Sequence, residues 1–135
     1  MKTIRAKILV VDDDPDYREA VTAILESASY EVLTAANIEE ATRQILDDKP
    51  DLILLDIMMD SLFDGYSLCH AIRNTEKFAA AKTTPIIFVS AVRRLAGSRF
   101  GFKGEDQGLT GPDDYVDKPI EPKDLMARIE RFLTK

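Results

Sequence analysis

Residues 8–15 read Ile8-Leu9-Val10-Val11-Asp12-Asp13-Asp14-Pro15, and the succession of residue types decides the fold. Four apolar residues in a row, without alternation, suit a strand covered on both faces, as strands of a parallel sheet are. Asp14 followed by Pro15 is a helix start, with a carboxylate to cap the first amides and proline at the first helical position. A buried strand running directly into a helix is the opening of a β-α-β unit.

The same alternation continues outward. Val32–Ala36, Leu52–Leu55, Pro85–Val89 and Tyr115-Val116 are further short apolar runs. Between them lie helical patterns. Tyr17, Val21, Ile24, Leu25 and Ala28 recur at helix spacing after Pro15. Asn37 with Glu40 three residues on forms a capping-box start, followed by Ala41 and Ile45. Tyr66, Ile72 and Phe78 mark a third helix over roughly 66–78, and Glu121-Pro122 opens a last one carrying Leu125, Ile129, Phe132 and Leu133. The expectation is an α/β domain with a doubly wound five-stranded parallel sheet. One segment breaks the rhythm: Ala91–Asp114 spans 24 residues with five glycines, where a fourth helix belongs. Glycine costs roughly 1 kcal/mol against alanine in a helix interior, so a regular fourth helix is not expected there.

Length and charge narrow the function. A chain of 135 residues is expected to be one domain, residues 1–135. The net charge of −6 argues against nucleic acid or an anionic membrane as the partner. The single cysteine, Cys69, excludes an internal disulfide and fits a reducing cytoplasm. No apolar run approaches the roughly 18 residues that a membrane helix needs, so no membrane insertion is expected.

In an open α/β sheet, ligands bind beyond the carboxyl ends of the strands. Here the first run ends in Asp12-Asp13, the third in Asp56, the fourth in Ser90 and the fifth near Lys118. Parallel strands would bring these groups to one edge. Three crowded carboxylates repel unless a cation joins them, and a hard oxygen-seeking ion such as Mg2+ is the natural partner. A lysine and a hydroxyl facing them supply donors for an anion. Cation, carboxylate nucleophile and lysine together describe phosphoryl transfer.

The four segments Ile8–Pro15, Asp51–Met59, Val89-Ser90-Ala91 and Asp114–Pro119 closely resemble the receiver domain of two-component response regulators, from about Lys7 to Leu133. The resemblance implies a flavodoxin-like (βα)5 fold. It implies a non-enzymatic phosphoacceptor that assists its own phosphorylation and dephosphorylation. Asp56 matches the phosphoacceptor, served by a histidine kinase or a histidine phosphotransfer protein. Asp13 and Asp56 match direct Mg2+ ligands, Asp12 a ligand acting through water, and Met58 one offering its backbone carbonyl. Lys118 matches the lysine on the phosphoryl oxygens. Ser90 and Tyr115 match the switch hydroxyl and the aromatic that follows it, and Pro119 the proline after a cis peptide. Output would pass to a downstream protein through the domain's own surface.

The sequence departs from the family in three places. Asp60 stands where a proline is common, and Asp64-Gly65 arrives one residue late. The Gly-rich stretch is long. Met58 and Val92 occupy positions that often carry water-orienting polar groups, which implies slow loss of the phosphoryl group. Two other classes compete. A haloacid-dehalogenase-like phosphatase would want Thr or Val where Pro15 stands. A binding module that is never phosphorylated would not need all five site residues. His70 and Cys69 read as surface and packing residues.

Overall fold

The computed structural model describes residues 6–56, 64–90, 112–118 and 120–133. Chain order runs β1 (Lys7–Val11), α1 (Pro15–Ser27), β2 (Glu31–Ala35), α2 (Ile38–Asp48), β3 (Leu52–Asp56), α3 (Asp64–Asn74), a 3-10 turn (Glu76–Ala81), β4 (Ile86–Ser90), β5 (Asp114–Asp117) and a final helix (Pro122–Leu133). The five strands form one sheet in the order β2-β1-β3-β4-β5, and every pairing is parallel. This is the expected doubly wound architecture. The order reverses between β1 and β3, which opens a crevice at their carboxyl ends.

The unalternating strand runs have a direct structural cause. Successive side chains of a strand point to opposite faces, and here both faces are covered. Leu9, Val11, Ile53, Leu55, Ile86 and Phe88 enter a core with α2, α3 and the 3-10 turn. Ile8, Val10, Leu52, Leu54, Ile87 and Val89 enter a second core, with Val21 and Leu25 of α1 and Leu125 and Ile129 of the final helix. β2, at the sheet edge, is only partly covered, and Glu31 and Thr34 face solvent.

The helix starts are built as their residues suggest. Asp14 accepts from the Asp16 amide at 3.0 Å, with Pro15 opening α1. Asn37 accepts from the Glu40 amide at 2.8 Å, while Glu40 reaches back to the Ala36 amide at 2.8 Å. Each side chain thereby satisfies an amide that the first helical turn leaves unpaired. Glu121 caps the final helix through the Asp124 amide at 3.0 Å.

The third helix differs from its expected span. α3 ends at Asn74, where the Asn74 side chain turns back to donate to the His70 carbonyl at 2.9 Å. Thr75 is extended, and Phe78 belongs to the separate 3-10 turn at φ −101°, ψ 19°. Phe78 still reaches the core at 3% exposure, because the tighter turn swings it onto the same face. Apolar spacing records burial, and it ran on across a break in the backbone. The Gly-rich stretch at 91–111, the backbone carbonyl of Met58 and the peptide preceding Pro119 lie outside the described residues.

Candidate functional site

Register sets the site. Val11 of β1 pairs with Leu55 of β3, so Asp12 and Asp56 emerge side by side at the sheet's carboxyl edge. Each polar atom of the wholly buried Asp12 has a named partner. Its amide donates to the Ala35 carbonyl at 3.0 Å, and its carbonyl accepts from Arg18 Nη1 at 2.6 Å. Oδ1 accepts from the Asp14 amide at 2.9 Å, and Oδ2 accepts from Lys118 Nζ at 2.9 Å. A buried carboxylate costs several kcal/mol unless it is so satisfied, and these bonds fix its orientation.

Asp56, the last residue of β3, is 5% exposed, and Asp13 faces solvent. Carboxylate oxygens of Asp12, Asp13 and Asp56 all lie within 4.8 Å of one another. Lys118 reaches back from the end of β5, across β4, and its Nζ lies 3.7 Å from Asp56 Oδ2. Ser90 ends β4, the strand between those of Asp56 and Lys118; its hydroxyl lies outside the described atoms. Tyr115 lies on β5 opposite Phe88, packed against the core with its hydroxyl buried.

Charge explains what this edge can hold. Three carboxylates facing one ammonium leave two negative charges, the complement of one divalent cation. The donor set is all oxygen, which suits Mg2+ and not a soft metal. Burial pulls the Lys118 pKa down, but the hydrogen bond it donates to Asp12 and the charges of Asp56, Asp12 and Asp14 outweigh it. The net direction is upward, so the ammonium stays charged and available to an anion.

The structure thus brings Asp12, Asp13, Asp56 and Lys118 together. It also adds a residue that the sequence left among the core positions of α1. Tyr17 lies beneath the lysine, with Lys118 Nζ 4.4 Å from its ring centroid. Burial, followed by the fields of Asp12 and Asp56, drives its phenol pKa well above the ordinary value. No local spacing signals this contact, since the two residues come from opposite ends of the chain.

Over residues 8–130 the chain matches the response regulator receiver domain family. The protein belongs to that family. It is 38% identical over 133 residues to the phosphate regulon transcriptional regulatory protein PhoB of Pseudomonas aeruginosa PAO1, covering 95% of this chain and 52% of PhoB. The chain spans about half the length of the curated relatives it matches. Among solved structures, a two-component response regulator from Clostridium difficile superposes with TM-score 0.75 at 30% identity, over 96% of each chain. The receiver domain of the sensor histidine kinase PA1611 from P. aeruginosa PAO1, solved with magnesium coordinated in its active-site cleft, gives TM-score 0.75 at 27% identity, over 96% of this chain and 98% of that one. The chain is therefore a signalling domain of the two-component kind. Its acidic cluster lies at the carboxyl edge of a receiver fold, and no helix among the described residues is long and apolar enough to cross a membrane.

Proposed function

We propose that residues 1–135 form one receiver domain that takes a phosphoryl group onto Asp56, with Mg2+, from a phosphohistidine of a histidine kinase or histidine phosphotransfer protein. The observation that carries this reading is the convergence of Asp12, Asp13 and Asp56 within 4.8 Å, with Lys118 Nζ 3.7 Å from Asp56. In the transfer, an Asp56 carboxylate oxygen attacks phosphorus, the phosphorus–nitrogen bond breaks, and the imidazole keeps the bonding pair. Asp56 is buried at the edge of a rigid sheet, which holds the nucleophile in place and keeps competing water away. Lys118 supplies positive charge where the transferred oxygens gather charge.

Asp12, Asp13 and Asp56 would hold Mg2+, with the carbonyl of Met58 as the family's further ligand. When bound, the ion neutralises the carboxylates and polarises the phosphoryl group. Aspartyl phosphate then adds about −1.5 to −2 charges at this edge, by analogy with other phosphorylated residues. Its oxygens draw in the Ser90 hydroxyl, and Tyr115 responds beside it on β5. A local charge event so biases a two-state surface read by a downstream protein. Pro119 follows Lys118, in the family's place for a preceding cis peptide. The domain assists its own phosphorylation and dephosphorylation and turns over no other substrate. The net charge of −6 supports a protein rather than a nucleic-acid partner, and the lone thiol of Cys69 suits the cytoplasm.

Incubation with acetyl phosphate and Mg2+ tests the reading. The expected result is a mass gain of one phosphoryl group, absent in Asp56→Asn and in the presence of a chelator. No gain would support a binding module instead. Steady phosphate release from unrelated monoesters would support a phosphatase.

A further inference from the structure

We infer that Tyr17 is a positioning residue for Lys118, its ring face seating the ammonium so that it is shared between Asp12 and Asp56. This rests on the phosphorylation reading above and deepens it, adding to the phosphoryl-transfer site a residue that touches no reacting atom. Lys118 Nζ stands 4.4 Å from the Tyr17 ring centroid, 2.9 Å from Asp12 Oδ2 and 3.7 Å from Asp56 Oδ2. The ring therefore adds a third contact to the two carboxylates. A lysine has four rotatable bonds and loses up to about 2 kcal/mol of rotamer freedom when fixed, and this one is still about a quarter exposed, so a further contact helps to hold it between the two buried carboxylates. An aromatic face attracts a cation through its quadrupole, and does so most strongly where water is excluded.

The contact uses the ring and not the hydroxyl. The Tyr17 hydroxyl is buried, and among the described residues it makes no hydrogen bond. Burial and the neighbouring Asp12 and Asp56 keep it neutral, so Tyr17 brings no charge that would compete for the ammonium. α1 holds the ring in place. Asp14 and Pro15 fix the first turn, Arg18 ties that turn to the Asp12 carbonyl at 2.6 Å, and Val21 and Leu25 anchor the helix in the core. The segment that presents Asp12 and Asp13 thus also carries the platform for the lysine arriving from β5.

The test compares the full chain with Tyr17→Phe and Tyr17→Leu by two readouts. The first is the NMR signal of the Lys118 side-chain methylenes, assigned by its loss in Lys118→Arg and read without any phosphodonor. A ring beneath the chain moves these protons upfield. The shift is expected to survive in Tyr17→Phe and to disappear in Tyr17→Leu. The second is the rate of phosphorylation by acetyl phosphate with saturating Mg2+, expected to fall about five-fold in Tyr17→Leu and to be restored in Tyr17→Phe. Unshifted Lys118 protons in the wild-type chain would overturn the inference, and this holds even if Tyr17→Leu does not fold. Where the wild type is phosphorylated, an equal rate in Tyr17→Leu would also overturn it. So would a Tyr17→Phe variant as slow as Tyr17→Leu, because the hydroxyl would then be the acting group. A wild-type chain that shows the upfield shift but takes up no phosphoryl group would overturn the phosphorylation reading and leave the seating of Lys118 standing.

Discussion

Lys118 Nζ donates to Asp12 Oδ2 at 2.9 Å, joining two residues 106 positions apart in the chain. The carboxylate is almost wholly buried and the lysine side chain about a quarter exposed. This bond closes the acidic edge and leaves the ammonium facing Asp56.

Lys118→Met removes the charge while keeping much of the stem. Asp12 then keeps its backbone bonds but loses the cation at Oδ2. Equilibrium unfolding in urea is expected to show a loss of about 1–3 kcal/mol, the cost of orphaning a buried charged acceptor. Phosphorylation by a small donor is expected to slow by about 10²-fold, as when a charge-stabilising donor is removed from an active site.

Asp13 is the exposed member of the acidic cluster, and its charge opposes those of Asp12 and Asp56. Asp13→Asn is expected to raise the stability of the metal-free protein by about 1 kcal/mol at low salt, with a smaller gain at high salt. The same variant is expected to lose most of the rise in melting temperature that Mg2+ gives the wild type. Thermal scans with and without Mg2+ measure both effects.

At the opposite edge of the sheet, Arg73 works as a structural clamp. From α3 its Nη1 donates to the carbonyls of Lys82 and Thr84 at 2.8 and 2.9 Å, and its Nη2 to Asp113 Oδ2 at 2.7 Å. The same Asp113 oxygen accepts from the Ile86 amide at 2.9 Å, and the Asp113 amide donates to the Ile86 carbonyl at 2.7 Å. Arg73→Met is expected to cost about 2–4 kcal/mol, because it strands several acceptors at once. Phosphorylation at 10 °C is expected to persist in the folded fraction, which separates this role from a role in the chemistry.

Cys69 is 1% exposed, and burial pushes its thiol from the ordinary 9.0 up to about 11, with Arg73 pulling it down and Asp113 pushing it further up. A raised pKa means that the folded state holds the proton more tightly. The resulting stability is complete below pH 9, where both states are protonated, and is lost as pH rises through about 11. Wild type is expected to lose roughly 2–3 kcal/mol more than Cys69→Ala over that window, measured by urea unfolding at fixed pH steps.

Met58 and Val92 are apolar where the family often has groups that orient water. Phosphorylated protein is expected to decay slowly, and the double substitution Met58→Asn with Val92→Glu to hasten the decay about tenfold or more. Mass spectrometry over time after removal of the donor reads the rate.

The sequence by itself determined the sheet, the helix starts and the acidic members of the site. Unalternating runs such as Leu52–Leu55 identify strands buried on both faces, and Asp14-Pro15 and Asn37 with Glu40 cap helices through bonds within a few residues. Asp12, Asp13, Asp56 and Lys118 were legible because each stands at or just past a strand end, and parallel strands bring such ends to one edge. The break between Asn74 and Phe78 was not, because burial periodicity continues across it. Only the tertiary structure decided which groups touch. Tyr17 under Lys118 and Arg73 on Asp113 join segments far apart in the chain, and the helical spacing of Tyr17 reads the same whether its ring meets leucine or an ammonium. Local bonds are written in neighbouring residues, whereas a contact between distant segments depends on where the register of the sheet sets them down.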